Sequence, residues 1–371
     1  MSLLKTFLFC KWKLGLPKKN KFVLVDGIYN PFLKYLKKKD FTYLNRRGEE
    51  IYILILLKCI VKFRFNTLDY FAEFIKHVSP KLIFTAFDYH TIFYKLSKKT
   101  GIKTIMLQKG KRSSIDGIIE NEKKYFPTDS KNKYFIDYVL VYNKSVKDFY
   151  SKRIKGNFYE IGSFENNFSK INTSSQKKEV LFISNFNISD DGHLSPKTEN
   201  EDLVALELYN LAKKNKLNFN ILARNRKNKV KLYKEHLYYK NVLGNNFRFL
   251  RPLKKSGYEV LNQYKYIFST YSTMAIEALV KGSRCGFIFC KSKTNPIYGL
   301  WFANFEKFKL NGPFWTTGEK INSINTEKIF NFVTKTSEKK WRKIVLSYSN
   351  RLMQYDYENK IFKSILKKEL L

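Results

Sequence analysis

Between Ser269 and Glu277 the chain reads STYSTMAIE, four serine or threonine hydroxyls within five positions and then a carboxylate about one helical turn further on. The apolar run from Tyr266 ends in this cluster, so a strand stops there. Ser272 or Thr273 then opens a helix that Gly282 closes before a second strand over Cys285 to Cys290. Amides left unpaired at a helix start, reinforced by the helix dipole and by the hydroxyls of Ser269, Thr270, Ser272 and Thr273, suit a phosphate such as that of a nucleotide. Glu277 could accept hydrogen bonds from a ribose. Arg224, closing a strand over Phe219 to Ala223, or its neighbour Arg226, could grip phosphate with two bonds. Each has a plainer reading: strand, cap and buried helix for the first segment, a solvated loop for the arginines.

Proton abstraction is a second chemistry. Asp88 ends the run Lys81 to Phe87 where a helix beginning near Thr91 takes over, and it reads either as a general base or as that helix's cap. His90 is the rival base, poised near neutral pH, or a structural histidine at a helix start. Asp26 closes KFVLVD before Gly27 in the same way. Gln108 and Arg112 follow the next strand, where residues 109–112 also read as a basic surface loop. Glu235 and Tyr238 lie along a helix from Lys231 and read as a ribose or base contact, or as a surface face. Trp315, in GPFWTTG, offers an aromatic face for stacking or an anchor for the core, the more usual role of tryptophan.

These residues sit at strand ends because strand and helix patterns alternate along the chain. Strands over 21–26, 81–88, 102–108, 138–142 and 158–161, with helices over 91–100 and 145–153, form one series. A polar stretch, Asn166 to Lys178, reads as a linker. A second series follows: strands over 179–183, 219–223 and 247–250 and helices over 202–214, 233–239 and 258–264 lead into the hydroxyl segment. Such alternation predicts α/β architecture with two doubly wound parallel sheets, residues 1–170 and 171–340, and a helical segment, 341–371, packing back on them. In that segment Trp341, Leu346, Leu352 and Ile361 are expected to be buried. Ligands of such sheets bind at the carboxyl ends of the strands, so two halves facing across a cleft are expected.

Composition narrows the classes. Hydrophobic residues make up 44% and aromatics 17%, which excludes a disordered chain. Lys and Arg number 70 against 32 Asp and Glu, a formal charge of +38. The lysines are dispersed rather than gathered in one tract, which disfavours nucleic acid and leaves anionic substrates or peripheral contact with an anionic membrane. Four cysteines without CxxC spacing and four histidines without HExxH give no metal site, and the expected setting is the reducing cytoplasm. The N-terminal residues do not read as a secretory signal. Ile51 to Phe63, the most apolar window, is too short to span a bilayer and reads as a buried helix.

Five segments in order, PKLIFTAFDYHTIFYKLSKKTGIKTIMLQKGKR (Pro80 to Arg112), DYVLVYN (Asp137 to Asn143), EIGSFENN (Glu160 to Asn167), STYSTMAIEALVKG (Ser269 to Gly282) and NGPFWTTGE (Asn311 to Glu319), resemble bacterial surface carbohydrate biosynthesis proteins over most of the chain. The resemblance implies a GT-B type glycosyltransferase fold, with an N-terminal acceptor-side domain and a C-terminal nucleotide-sugar-side domain. It also implies work at the inner face of the cytoplasmic membrane on lipopolysaccharide, O-antigen or capsule. The chain departs from the family pattern at Asp88-Tyr89-His90, at Gln108-Lys109-Gly110 and at Met274-Ala275-Ile276, where a lost glycine narrows backbone approach to a phosphate.

On this reading the donor is a nucleotide sugar held by Ser269, Thr270, Ser272, Thr273, Glu277 and Arg224. Asp88 or His90 is the base, and Asp26, Gln108, Arg112 and Trp315 meet a glycan or lipid-linked glycan acceptor. No cofactor or metal is expected beyond that co-substrate. Two rival classes use the same sequence features: a sugar-nucleotide epimerase or polyol-phosphate transferase on the same fold, and a non-catalytic basic protein that binds anionic glycan or nucleic acid.

Overall fold

The computed structural model describes residues 10–25, 30–45, 50–87, 91–110, 134–168, 170, 176–189, 192–195, 198–251, 257–290 and 308–371. The chain divides into two units, Met1–Lys109 with Glu120–Phe168 and Asp356–Leu371, and Gly110–Ile119 with Ser169–Tyr355. The segment 341–371 is thus split: its first part belongs to the second unit and its last helix to the first. Asp26, Asp88, His90 and Arg112 lie outside the described residues.

The described elements of the first unit run, in chain order, β1 (Lys11–Lys13), β2 (Phe22–Val25), β3 (Phe41–Leu44), β4 (Glu50–Tyr52), α1 (Ile53–Val61), α2 (Thr67–Val78), β5 (Leu82–Thr85), α3 (Phe93–Thr100), β6 (Lys103–Leu107), β7 (Phe135–Val141), α4 (Lys144–Ser151) and β8 (Lys155–Glu160). Six strands form a parallel sheet in the order β3-β2-β5-β6-β7-β8, while β1 and β4 pair in a separate parallel ribbon. Every residue of FVLV in β2 and LIFT in β5 is buried, as expected of strands covered on both faces. The order reverses between β2 and β5, whose last residues Val25 and Thr85 are neighbours. Asp26 and Asp88 follow these two strands in sequence.

The second unit runs β9 (Lys177–Ile183), α5 (Glu201–Lys214), β10 (Phe219–Leu222), α6 (Lys229–Leu243), β11 (Arg248–Leu250), α7 (Gly257–Leu261), β12 (Tyr264–Ser269), α8 (Thr273–Val280), β13 (Arg284–Cys290), β14 (Trp315–Gly318), α9 (Ser323–Lys335) and α10 (Glu338–Leu352). Its parallel sheet has the order β11-β10-β9-β12-β13-β14, which is 3-2-1-4-5-6 when counted within the unit. That is the doubly wound order, and its switch point lies between β9 and β12, where ligands of such sheets bind.

The closing helix α11 (Lys360–Leu370) completes the core of the first unit. Its Phe362 packs against Phe164 and Phe32, with ring centroids 5.0 and 5.7 Å away. A pair of buried asparagines fixes its start. The Asn167 amide donates to Asn359 Oδ1 (2.9 Å), Asn359 donates to the Phe164 carbonyl (3.0 Å), and Asn167 Oδ1 accepts from the Asp356 amide (3.2 Å). The EIGSFENN segment therefore serves to bind the turn that opens α11. This corrects the reading of Asn166 and Asn167 as the start of a linker, since both are buried in the first unit.

Other expectations also change. Helix α1 buries only Ile55 and Cys59, against α2, and leaves Leu54, Leu57, Ile60 and Val61 exposed, so the 51–63 window is not a buried helix. Leu346 is 64% exposed because α10 turns it away from the side that buries Trp341 and Leu352. Strands β3 and β14 escape the sequence reading because FTYL and WTTG are too short to show a period.

Candidate anion site at the switch point of the second sheet

The hydroxyl cluster lies where β12 passes into α8. Ser269 and Thr270 are fully buried, and their side chains turn inward. Ser269 Oγ accepts the Ser272 amide at 3.1 Å, closing the turn. Thr270 Oγ1 donates to Glu201 Oε1 at 3.1 Å. These two hydroxyls shape the loop rather than face a ligand.

The positions that remain are Ser272 and Thr273. Ser272 occupies the cap position of α8 in extended backbone but makes no side-chain cap bond, unlike the residues that open α6, α9 and α10, each of which accepts a first-turn amide. The first-turn amides of α8 are therefore without a side-chain acceptor, at a start where Ser272 is buried and Thr273 half-buried.

Across the switch point, the loop after β9 brings a residue absent from the sequence reading. Asn185 donates through Nδ2 to Thr270 Oγ1 (3.1 Å) and to Glu201 Oε1 (3.2 Å), and its amide also donates to that oxygen (2.8 Å). Three donors thus converge on one oxygen of Glu201, while Oε2 has no hydrogen-bond partner. Burial pushes the Glu201 carboxyl up to about 8, so at neutral pH it is largely uncharged. A neutral acid beneath the uncapped helix end spares an incoming anion the repulsion of a carboxylate.

Arginines come from the adjacent strand ends. Arg224 is exposed and donates from its guanidinium to the Asn185 carbonyl at 2.8 Å, which ties the ends of β10 and β9 together. The turn behind it is held by the fully buried Glu235, whose two oxygens accept the amides of Arg224 (2.8 Å) and Asn225 (2.9 Å). Glu235 is accordingly a loop anchor, and neither a surface residue nor a ribose ligand. Tyr238 is a strut, donating to the Thr198 carbonyl at 2.9 Å and accepting the Asp202 amide at 3.0 Å.

Arg226 packs with the Met274 side chain of α8 around Gly257. A Cβ placed on Gly257 would meet Met274 Cε at 2.4 Å and the Arg226 guanidinium nitrogens at 3.3 and 3.4 Å, so both side chains crowd that glycine. Arg251 Nε donates to the Arg226 carbonyl at 3.2 Å and adds a third guanidinium.

Glu277 is buried on α8, one turn before Lys281, whose amine burial pulls down to about 8 and the Glu277 charge supports. Trp315 does not offer a stacking face. It is 2% exposed, donates from Nε1 to the Lys309 carbonyl (2.9 Å) and is enclosed by Phe308, Phe314 and Tyr348. Its contribution is to the core of the second unit. Gln108, in the first unit, is also buried, and its Oε1 accepts the Tyr142 amide at 2.8 Å, joining the ends of β6 and β7.

A cavity of about 250 Å³ opens at the carboxyl ends of β13 and β14, lined by Phe289, Cys290, Thr317 and Asn322 among others. A larger one, about 440 Å³, lies at the amino ends of β10 and β11. Only the first lies at the carboxyl ends of strands, where ligands of such sheets bind, and neither of the two is lined by residues of the β9–β12 switch point.

Residues 105–370 match the family model Lept_O_ant_chp1, described as "putative O-antigen biosynthesis protein". No curated protein matches the sequence. Among solved structures, the wall teichoic acid polymerase TagF is similar over 95% of this chain and 91% of its own, with 14% identity and a TM-score of 0.50. The S. aureus MnaA–UDP co-structure is similar over 94% of this chain and 96% of its own, with 13% identity and a TM-score of 0.52. At such identities the likeness carries the fold, a GT-B-like arrangement of two Rossmann-like parallel sheets in one chain, and nothing further.

Proposed function

From the premise that this chain belongs to the O-antigen biosynthesis family matched over residues 105–370, we propose that it is a glycosyltransferase that moves a sugar from a nucleotide-activated donor to a cell-surface glycan or its lipid-linked precursor. The observation that carries the reading is the uncapped start of α8 at the switch point of the second sheet, with Arg224 bonded to Asn185 in the loop after β9 and Arg226 packed with Met274 of α8 around Gly257. A leaving nucleoside diphosphate or monophosphate carries away negative charge. Helix amides with two guanidiniums stabilise that charge as it develops.

Ser272 and Thr273 receive the phosphate in this scheme, and Asn185 with the uncharged Glu201 holds the two loops in register beneath it. Glu277 supports α8 from within. Asp88 is the proposed base for the acceptor hydroxyl, with His90 as its rival, and Asp26 and Arg112 belong to the acceptor side, beneath which buried Gln108 joins the ends of β6 and β7. With phosphate charge met by arginines and amides, transfer is proposed to proceed without a metal and to survive chelator.

The deciding experiment is thermal stabilisation by CMP-, UDP-, GDP- and CDP-linked ligands, followed by transfer assays with whichever class binds. One nucleotide class should raise the melting temperature, by an amount equivalent to about 2.7 kcal/mol at one hundred times its Kd. Arg224→Ala should weaken that effect, whereas Asp88→Asn should preserve it and abolish transfer. No stabilisation by any nucleotide would overturn the donor site.

A further inference from the structure

Helix α1 is apolar on two sides. Ile55 and Cys59 face α2, and on the opposite side Leu54, Leu57, Ile60 and Val61 are 40, 48, 44 and 76% exposed. At 100° per residue those four positions span one continuous stripe, with Lys58 on its border. The stripe continues past the helix end into Phe63 and Phe65, 85 and 74% exposed, whose rings meet edge to face 6.5 Å apart.

The two phenylalanines are held outward by design of their neighbours. Lys62 and Arg64 both turn down to the buried Glu73, at 2.8 and 2.9 Å. Between them Phe63 adopts the left-handed backbone region (φ 53°), which a bulky side chain seldom occupies. Two ion pairs thus fix a conformation that exposes a hydrophobic ring to water.

We propose that this face, Leu54, Leu57, Ile60, Val61, Phe63 and Phe65, seats the protein on an anionic lipid surface by shallow insertion. The partner is argued from charge. Lys58 borders the stripe, and exposed Lys11 lies on β1, which pairs in parallel with the strand that leads into α1, while Lys62 and Lys13 are taken up by Glu73 and Glu50. The chain carries +38 overall, so a second copy would meet like charge, whereas anionic headgroups would satisfy it. A protruding aliphatic stripe with aromatic tips fits between headgroups. The face belongs wholly to the first unit and is independent of the nucleotide reading.

Vesicle flotation of the full chain tests it, using phosphatidylcholine alone and phosphatidylcholine with phosphatidylglycerol. Wild type should float with the anionic vesicles. Leu57→Ser with Phe63→Ser should lower the partition on the order of tenfold without changing charge or melting temperature. As an independent reading, Phe63→Trp should gain a blue-shifted emission component only with anionic vesicles. Equal flotation of the serine variant and wild type would overturn the proposal in favour of diffuse lysine attraction. Failure of wild type to float, whether it is monomeric or self-associated through this face, would overturn it as well.

Discussion

Ser272 occupies a cap position without making the cap bond, so an aspartate there separates ligand binding from folding. Ser272→Asp should raise stability by about 0.5–1 kcal/mol, because its carboxylate satisfies α8 itself, and should remove nucleotide stabilisation. Calorimetry with and without ligand checks both, and an unchanged nucleotide response would place the phosphate elsewhere. Glu201 gives a pH test. The folded chain keeps its proton to about 8, whereas the unfolded carboxyl releases it near 4.5, so between those values the fold holds more protons and loses stability as pH rises. Melting temperatures from about pH 5 to about pH 8.5 should fall less in Glu201→Gln than in wild type; parallel curves would mean the acid is ionised in the fold. The cap position at Ser272 was readable from sequence because a cap has a local signature. Asn185 and Glu201 were not: they stand far from Thr270 along the chain, and only the crossing of β9 and β12 brings them to it.

At the scale of elements, GPFWTTG is a packing device. Gly312 passes so close to the Trp315 ring that a Cβ would lie 2.2 Å from it, and Trp315 closes the aromatic cluster with Phe314 and Tyr348. Trp315→Ala should cost about 3–5 kcal/mol in denaturant unfolding, and Gly312→Ala should also destabilise, while nucleotide affinity of the folded fraction stays the same. A selective loss of affinity would restore Trp315 to the site. Most strands and helices of both sheets were legible, since buried parallel strands read as apolar runs between capped helices, but the short edge strands β3 and β14 were not. Helix α1 misled for a physical reason. A window apolar all round predicts burial on every side, but hydropathy does not say whether a neighbour exists for the second side. Exposure there comes from the arrangement of α2 and β4 around it, which no local pattern encodes.

For the molecule as a whole, the chain crosses into its second unit and comes back. Asn359 is fully buried, bonded to Asn167, Phe164 and the Tyr35 hydroxyl, with its backbone in the left-handed region (φ 50°). Asn359→Ala should destabilise the first unit by about 2–3 kcal/mol and leave nucleotide stabilisation of the second intact, as hydrogen exchange resolved by unit would show. Uniform loss across both units would mean that they unfold together. The two-unit plan was visible in the repeated alternation of elements, but the return of α11 was not, because a charged amphipathic helix carries no address for the sheet that it covers. That return has a consequence for biosynthesis. Phe32, Phe84 and Phe164 are translated long before Phe362, and all of Ser169–Tyr355 is made in between. The second unit can therefore fold on the ribosome while the first still waits with an aromatic face uncovered, so the unit made first becomes stable second, and the nascent chain carries that exposed face until α11 has emerged.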